Sequence, residues 1–271
     1  SDDEVAAAME LYWNKLRIVP EPSGAMTLAG VQKFRQDYPE LFAQRGKGQS
    51  AKAVVVCSGA NMDFSKLASI SAQSAVGSNR RRYLRVAISE EQGGLLSFLD
   101  TYFRDVNVKD FQYGKNRPDV GHPVIGIEAS QADMDQLVAR LQHDHVEFAD
   151  VSNAADVRMR NINYNASILQ DPVLMNVEFT ESKGALRKFM AEVSEVANLC
   201  YFNYQYAGDN TGRAMMGFEF SSQENRDKFL TLAQNMDVVK CERAPQDEEE
   251  RVFGHVPQQR TATTNLAYNF G

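Results

Sequence analysis

YLRVAISEEQGGLLSFLD (residues 83–100) and LMNVEFTESKGALRKFMA (residues 174–191) are one pattern written twice, 91 positions apart. The offset holds without a gap well beyond them. Val86 falls on Val177, Glu90 on Glu181, Gly93 on Gly184, Leu95 on Leu186 and Phe98 on Phe189. Asn107 falls on Asn198, Phe111 on Phe202, Tyr113 on Tyr204, Gly126 on Gly217, Glu128 on Glu219 and Leu141 on Leu232. Collinearity across so many residue types marks an internal duplication, which has to be read before any local assignment.

Each copy reads the same way. Residues 83–88 alternate apolar and polar, the period of a half-buried strand. A polar turn follows. Residues 93–103 then place Leu95, Leu96, Phe98, Leu99 and Phe103 at helical spacing. A second strand spans 106–113, a third 123–129, a helix 131–143 and a last strand 146–151. The second copy predicts strands at 174–180, 198–206, 213–220 and 238–243, with helices at 185–194 and 223–235. The order βαββαβ is ferredoxin-like. Right-handed crossovers put both helices on one face of a four-stranded antiparallel sheet. The fold class is therefore α+β, with two tandem ferredoxin-like subdomains at 83–152 and 171–245.

The chain of 271 residues is 43% hydrophobic and 24% charged, ordinary values for folded domains. Its net charge of −7 argues against nucleic acid as a partner. The basic run Arg80-Arg81-Arg82 reads as a solvated linker, part of a neck at 71–82. No apolar stretch approaches the length of a membrane span, so no membrane partner is expected. Three widely spaced cysteines, Cys57, Cys200 and Cys241, read as free thiols of a reducing, intracellular compartment. Four histidines without a Cys-x-x-Cys give no metal site. Asp247-Glu248-Glu249-Glu250 reads as an acidic surface turn opening a C-terminal tail at 246–271, whose end frays.

Ahead of the duplication, Ser1-Asp2-Asp3-Glu4 has the spacing of a capping box, and a helix is expected to about Lys15. The stretch EPSGAMTLAG (21–30) offers Ser23 as a helix cap, and Gly24, Ala25, Ala29 and Gly30 as small residues for close helix approach. Ala53-Val54-Val55-Val56-Cys57 reads as a buried parallel strand ending in the loop Ser58-Gly59-Ala60-Asn61. In α/β folds a ligand sits at such a strand end.

Together these pieces resemble the threonine ammonia-lyase (threonine dehydratase) family. EPSGAxxLAG, the strand and CSGAN resemble the end of its pyridoxal-phosphate catalytic domain, so 1–70 would be a fragment of an α/β fold type II domain. The two repeats resemble its paired ACT-like regulatory subdomains. The resemblance implies pyridoxal 5'-phosphate as cofactor, with Ser58 bonding its pyridine nitrogen and Glu21, Gly59 and Asn61 beside it. A hydroxyl partner leaves that nitrogen largely unprotonated, which suits β-elimination. The family's Schiff-base lysine and Gly-rich phosphate loop have no equivalent here, so the chain alone is expected to be inactive.

The resemblance further implies conversion of L-threonine to 2-oxobutanoate and ammonia in isoleucine biosynthesis, in a homotetramer. Isoleucine and valine would be the effectors. The effector residues it implies are Tyr113 and Tyr204, Gly93 and Gly184, Glu90 and Glu181. Helix N-termini at the two glycines would favour an effector carboxylate, and each tyrosine offers a hydroxyl and an aromatic wall. The same aromatic residues also fit a sheet core or rim, and the glycines a plain turn. Family members commonly carry arginine after the tyrosine; Gly114 and Gln205 stand there instead. The resemblance would place the chain in the cytoplasm of a bacterium, or in a plastid or mitochondrion. A non-catalytic amino-acid-binding regulatory protein is the alternative reading.

Overall fold

Ser1 accepts the backbone N–H of Glu4, and the Glu4 carboxylate takes the N-terminal ammonium at 2.6 Å. That reciprocal cap starts helix α1 (Asp2–Leu16), which stops at Arg17 in the left-handed region. The computed structural model describes residues 1–42, 51–104, 106–180, 182–206, 208, 211–236 and 239–254. Helix α2 (Pro22–Asp37) follows, then α3 (Pro39–Phe42). Pro22 takes the first helical position, where its missing N–H costs nothing, so Glu21 rather than Ser23 is the N-cap residue. Of the small residues, Gly24, Ala25 and Ala29 are buried, whereas Gly30 faces open space. Helix α4 (Leu67–Gly77) packs on α1, with Gly77 so close to the Asp3 carbonyl that a Cβ would overlap it.

The stretch 53–57 is not a strand. It pairs with no strand among the described residues, and Val54 is 94% exposed. A β-branched run buries itself only where neighbouring strands take up its backbone groups and helices cover its faces.

The duplicated part follows the predicted order. The first repeat holds β1 (Arg81–Val86), β2 (Ile88–Ser89), α5 (Gly94–Tyr102), β3 (Asn107–Gly114), β4 (Val120–Gly121), β5 (Val124–Glu128), α6 (Gln131–His143) and β6 (Phe148–Asp150). A connecting turn, α7 (Ala155–Arg158), leads to the second: β7 (Val173–Thr180), α8 (Ala185–Val193), β8 (Asn198–Gln205), β9 (Thr211–Glu219), α9 (Gln223–Gln234) and β10 (Val239–Arg243).

The two four-stranded sheets fuse into one, in the order β6-β1-β5-β3-β8-β9-β7-β10, antiparallel throughout. The seam is β3 against β8. Both seam strands carry an irregularity at the same repeat position, between Val108 and Asp110 and between Leu199 and Tyr201. The repeats differ at Pro123, which stands where the second has Ala214. Proline cannot donate to a ladder. The first repeat therefore splits its edge into β1 with β5 and a separate pair, β2 with β4, while β7 and β9 run unbroken.

All four long helices of the repeats cover one sheet face. Leu95, Phe98, Met134, Leu137, Phe189 and Phe229 belong to a single apolar cluster with Phe111 and Phe202. The opposite face carries a smaller cluster, Leu169, Leu174, Cys200, Tyr201 and Phe253.

Two charged stretches behave otherwise than their composition implied. Arg81 lies in β1, is buried, and reaches Glu128 across the ladder at 2.8 Å, so the basic run is not a solvated linker and the neck ends before it. Residues 246–253 form α10 (Gln246–Phe253) rather than an acidic turn and tail. Its acidic first turn suits a helix N-terminus. Glu249 accepts from the Leu174 backbone at 3.2 Å, Glu248 from Asn176 at 3.3 Å, and Phe253 is buried. The rest of the expected tail lies outside the described residues.

Candidate effector site

At the seam the strand ends bring polar side chains into a dry environment. In the first repeat, Glu90 follows β2 and Tyr113 projects from β3 onto it, donating its hydroxyl to the Glu90 carboxylate. Both are buried. Burial, reinforced by the Glu90 charge, holds the Tyr113 hydroxyl protonated far above its usual range. Burial also pushes the Glu90 carboxyl upward, against the Tyr113 hydrogen bond and the Lys115 charge. Gly121 on β4 is needed for this closure, because a Cβ there would sit 2.2 Å from Glu90 Oε1 and 3.0 Å from the Tyr113 ring.

Three further residues complete the group. Lys115, just beyond β3, places its Nζ 3.8 Å from Glu90 Oε2 and in direct contact with Glu219 of the second repeat. Asn198, at the start of β8, donates to the Glu90 backbone carbonyl at 3.1 Å and to Glu219 Oε1 at 3.3 Å. Glu90, Lys115 and Glu219 are only 7%, 8% and 7% exposed. The sequence does not mark Glu219 and Asn198 as site residues. Their alignment with Glu128 and Asn107 is visible in the sequence, but a partner across the seam is not.

In the second repeat, Gly184 caps α8 at a φ of 75°, as Gly93 caps α5 at 82°, neither with a side-chain cap. Left-handed geometry favours glycine, and the free N–H groups of each first turn point outward. Gly184 and Tyr204 line a narrow, partly open cleft of about 20 Å³, together with Arg187 and apolar walls from Leu99, Phe103 and Phe179. The walls come from both repeats. Glu181, expected here, lies outside the described residues.

The expected arginine positions are explained by packing. A Cβ on Gly114 would lie 2.3 Å from the Asn163 carbonyl, so no side chain fits. Gln205 is exposed. A guanidinium arrives from elsewhere: Arg160 pairs with buried Asp110 and donates to the Tyr204 carbonyl at 3.0 Å.

The N-terminal candidates also converge. The Glu21 N–H donates to the Gly59 carbonyl at 3.1 Å, and Gly59, at a φ of 75°, leaves over its Cα the space that the Glu21 carboxylate fills. Gly24 packs against the Ser58 carbonyl. Ser58 and Asn61 are exposed. Among the described residues no cluster of His, Cys, Asp and Glu could hold a metal ion, and no helix is long and apolar enough to cross a membrane.

Residues 72–159 and 165–253 each match the C-terminal regulatory domain of threonine dehydratase. The chain belongs to that family. The threonine dehydratase regulatory domain is thus present twice, and the two matches cover the two repeats of the sheet. Similar proteins include the biosynthetic L-threonine dehydratase IlvA of Haemophilus influenzae, 29% identical over 236 residues, covering 86% of this chain and 44% of that protein. The Pasteurella multocida enzyme of the same name is 28% identical over 229 residues, covering 82% and 42%. The mitochondrial threonine dehydratase of Schizosaccharomyces pombe is 26% identical over 219 residues, covering 79% and 35%. The chain therefore spans less than half the length of these relatives.

Proposed function

We propose that this chain is the amino-acid-sensing region of a biosynthetic threonine dehydratase, and that isoleucine and valine bind at its strand-end sites. An amino-acid effector presents a carboxylate, an ammonium and an apolar branch. The first turn of α8 at Gly184 offers N–H groups for the carboxylate. Tyr204 offers an aromatic wall, and with the apolar side chains of the cleft it would shelve the branch. The observation that carries this reading is the cleft itself, which joins a left-handed glycine cap, the repeat tyrosine and apolar walls from both repeats.

The parent reaction would be deamination of L-threonine to 2-oxobutanoate, in a homotetramer. Pyridoxal phosphate, when bound, supplies the electron sink for the elimination. Ser58 would face its ring nitrogen with Glu21, Gly59 and Asn61 alongside. The exposed Ser58 and the Gly59–Glu21 contact fit a pocket edge. The lysine and phosphate-binding groups would come from other residues of the enzyme, and the 271-residue chain by itself would be inactive. Exposed apolar side chains gather in this part, among them Trp13, Met26, Val54 and Phe64, as expected of a surface that packs on further protein.

Calorimetric titration of the chain with isoleucine tests the sensing role. Binding that Tyr204→Phe or Tyr113→Phe weakens is expected. Absence of heat with both isoleucine and valine, or binding unaltered in both variants, overturns it.

A further inference from the structure

The sheet face opposite the four long helices is covered unequally in the two repeats. Over the second repeat, Phe253 of α10 joins Tyr201 and Met215 in the smaller apolar cluster. Asn176 there bonds to Glu248 of α10 at 3.3 Å, and Asn203 to Arg160 at 2.5 Å. The first-repeat counterparts of Asn176, Asn203 and Met215 are Arg85, Gln112 and Val124. These three line a cavity of about 200 Å³, roofed by the connecting segment 156–163. A single water needs about 10–15 Å³, so the cavity holds a molecule of amino-acid size. Its roof is fixed in place. Arg158 of α7 pairs with buried Asp3 of α1 at 2.5 Å, and Asn116 donates to the Gly114 and Asn163 carbonyls at 3.1 and 2.8 Å.

The floor of the cavity presents a hydrogen-bond acceptor. Gln112 is 6% exposed, and its Nε2 donates to Asp110 Oδ1 at 3.2 Å and to the Val157 carbonyl at 3.1 Å. A backbone carbonyl can only accept, which fixes the orientation of the amide. Among the described residues no donor meets Gln112 Oε1. The neighbouring side chains of Val124 and Val157 are apolar, so a guest has to bring the donor. At the rim, Arg85 Nη2 meets Asp156 Oδ2 at 2.9 Å. Both side chains are well exposed, at 40% and 52%, and such a pair contributes little to stability. Its two charges suit a zwitterion. The guanidinium has further N–H groups for a carboxylate, and the aspartate accepts from an ammonium.

We propose that this cavity binds an α-amino acid with a side-chain hydroxyl. Arg85 takes the carboxylate, Asp156 the ammonium, and Gln112 Oε1 accepts from the hydroxyl. Tyr113 and Tyr204 belong to the apolar cluster on the helix-covered face, so this site is separate from the strand-end groups and independent of isoleucine and valine sensing.

Calorimetry of the 271-residue chain with L-serine and L-threonine tests the proposal. Saturable binding of at least one of them is expected. Arg85→Gln and Asp156→Asn, at rim positions, are each expected to weaken it by about tenfold or more. Tyr113→Phe, Tyr204→Phe and saturating isoleucine are expected to leave it unchanged. L-alanine, which is serine without the hydroxyl, is expected to bind more weakly by about tenfold or more, because a site that pairs a hydroxyl discriminates against the analogue lacking it. No binding of either amino acid, binding that survives either rim variant, equal affinity for alanine, or displacement by isoleucine overturns the proposal. Should a rim variant fail to fold, hydrogen exchange of the wild type decides. Serine or threonine is expected to slow exchange in 112–116 and 156–163 and not in 184–187; protection absent from the first two segments overturns the proposal.

Discussion

Gln112 lies directly opposite Asn203, its own counterpart 91 residues further on, at the centre of the β3–β8 pairing. Around that pair the seam reads the same from both ends: Phe111 faces Tyr204, and Tyr113 faces Phe202. A local two-fold axis thus relates the repeats, and one chain contains the self-complementary contact that two copies of a single repeat would make. On the helix-covered side, Phe111 and Phe202 stack with centroids 4.5 Å apart, both fully buried. Truncating either to alanine is expected to cost about 3–5 kcal/mol. Because the rings touch, the double variant is expected to cost less than the two single losses combined. Urea denaturation of the three variants measures this, and strict additivity would show that the rings act independently.

Gly114 decides whether the family's arginine can be restored. With the Asn163 carbonyl 2.3 Å from a prospective Cβ, Gly114→Arg must push the 161–164 segment off β3. A loss of at least about 2 kcal/mol in stability is expected, in line with other overpacked sites. Gln205→Arg, at an exposed position, is expected to stay within about 0.5 kcal/mol of the parent. Thermal unfolding of both proteins separates a steric cause from an electrostatic one, since both variants add the same charge.

Much of this architecture is legible in the sequence, for a physical reason. Strand alternation and helical spacing are local, and a duplication repeats every local signal, so the helix read at 131–143 coincides with α6 and the one read at 185–194 ends one residue beyond α8. What resists reading is whatever depends on a distant partner. Arg81 belongs to a basic run that looks solvated until Glu128 is placed across the ladder. The valines at 54–56 look buried until neighbouring strands are sought and not found among the described residues. Glu248 and Glu249 look like a surface turn until β7 offers a side-chain amide and a backbone N–H. At the candidate site, the glutamate, glycine and tyrosine of each repeat stand out because they recur. Lys115 and Glu219 pair across repeats, from non-equivalent positions, and recurrence carries no trace of that.

Glu90 gives the strand-end group a pH signature. Its carboxyl is raised by burial, so the folded protein holds the Glu90 proton more tightly than the unfolded chain does. The stabilisation linked to that proton is complete below the unfolded carboxyl pKa, about 4.3, and is lost as pH rises through the higher folded value. Glu90→Gln removes the ionisation and leaves an oxygen for the Tyr113 hydroxyl. The variant is expected to gain on the parent at pH 8, with the gain shrinking toward pH 4. Denaturation midpoints across that range decide it. A constant difference at all pH values would mean that Glu90 ionises as readily in the fold as in water.

Arg160 and Asp110 form the counterpart pair on the opposite side of the seam. Asp110 is 2% exposed and its carboxyl is raised by burial, with Arg160 as the main opposing influence. Arg160 adds bonds to the Asn203 side chain and the Tyr204 carbonyl, so one guanidinium ties the connecting segment to both seam strands. Removing it strands a buried carboxylate, and Arg160→Ala is expected to cost about 3–5 kcal/mol at neutral pH. The sign of the pH effect follows from the raised carboxyl. Without Arg160 the folded value climbs further, so the deficit grows as pH rises through it and fades on acidification, when Asp110 takes up a proton. Asp110→Asn in the same background removes the charge and is expected to recover part of the loss. The outcome that would sink this account is an Arg160→Ala deficit that neither acid nor Asp110→Asn relieves, because the arginine would then be acting only through packing and its bonds to Asn203 and Tyr204.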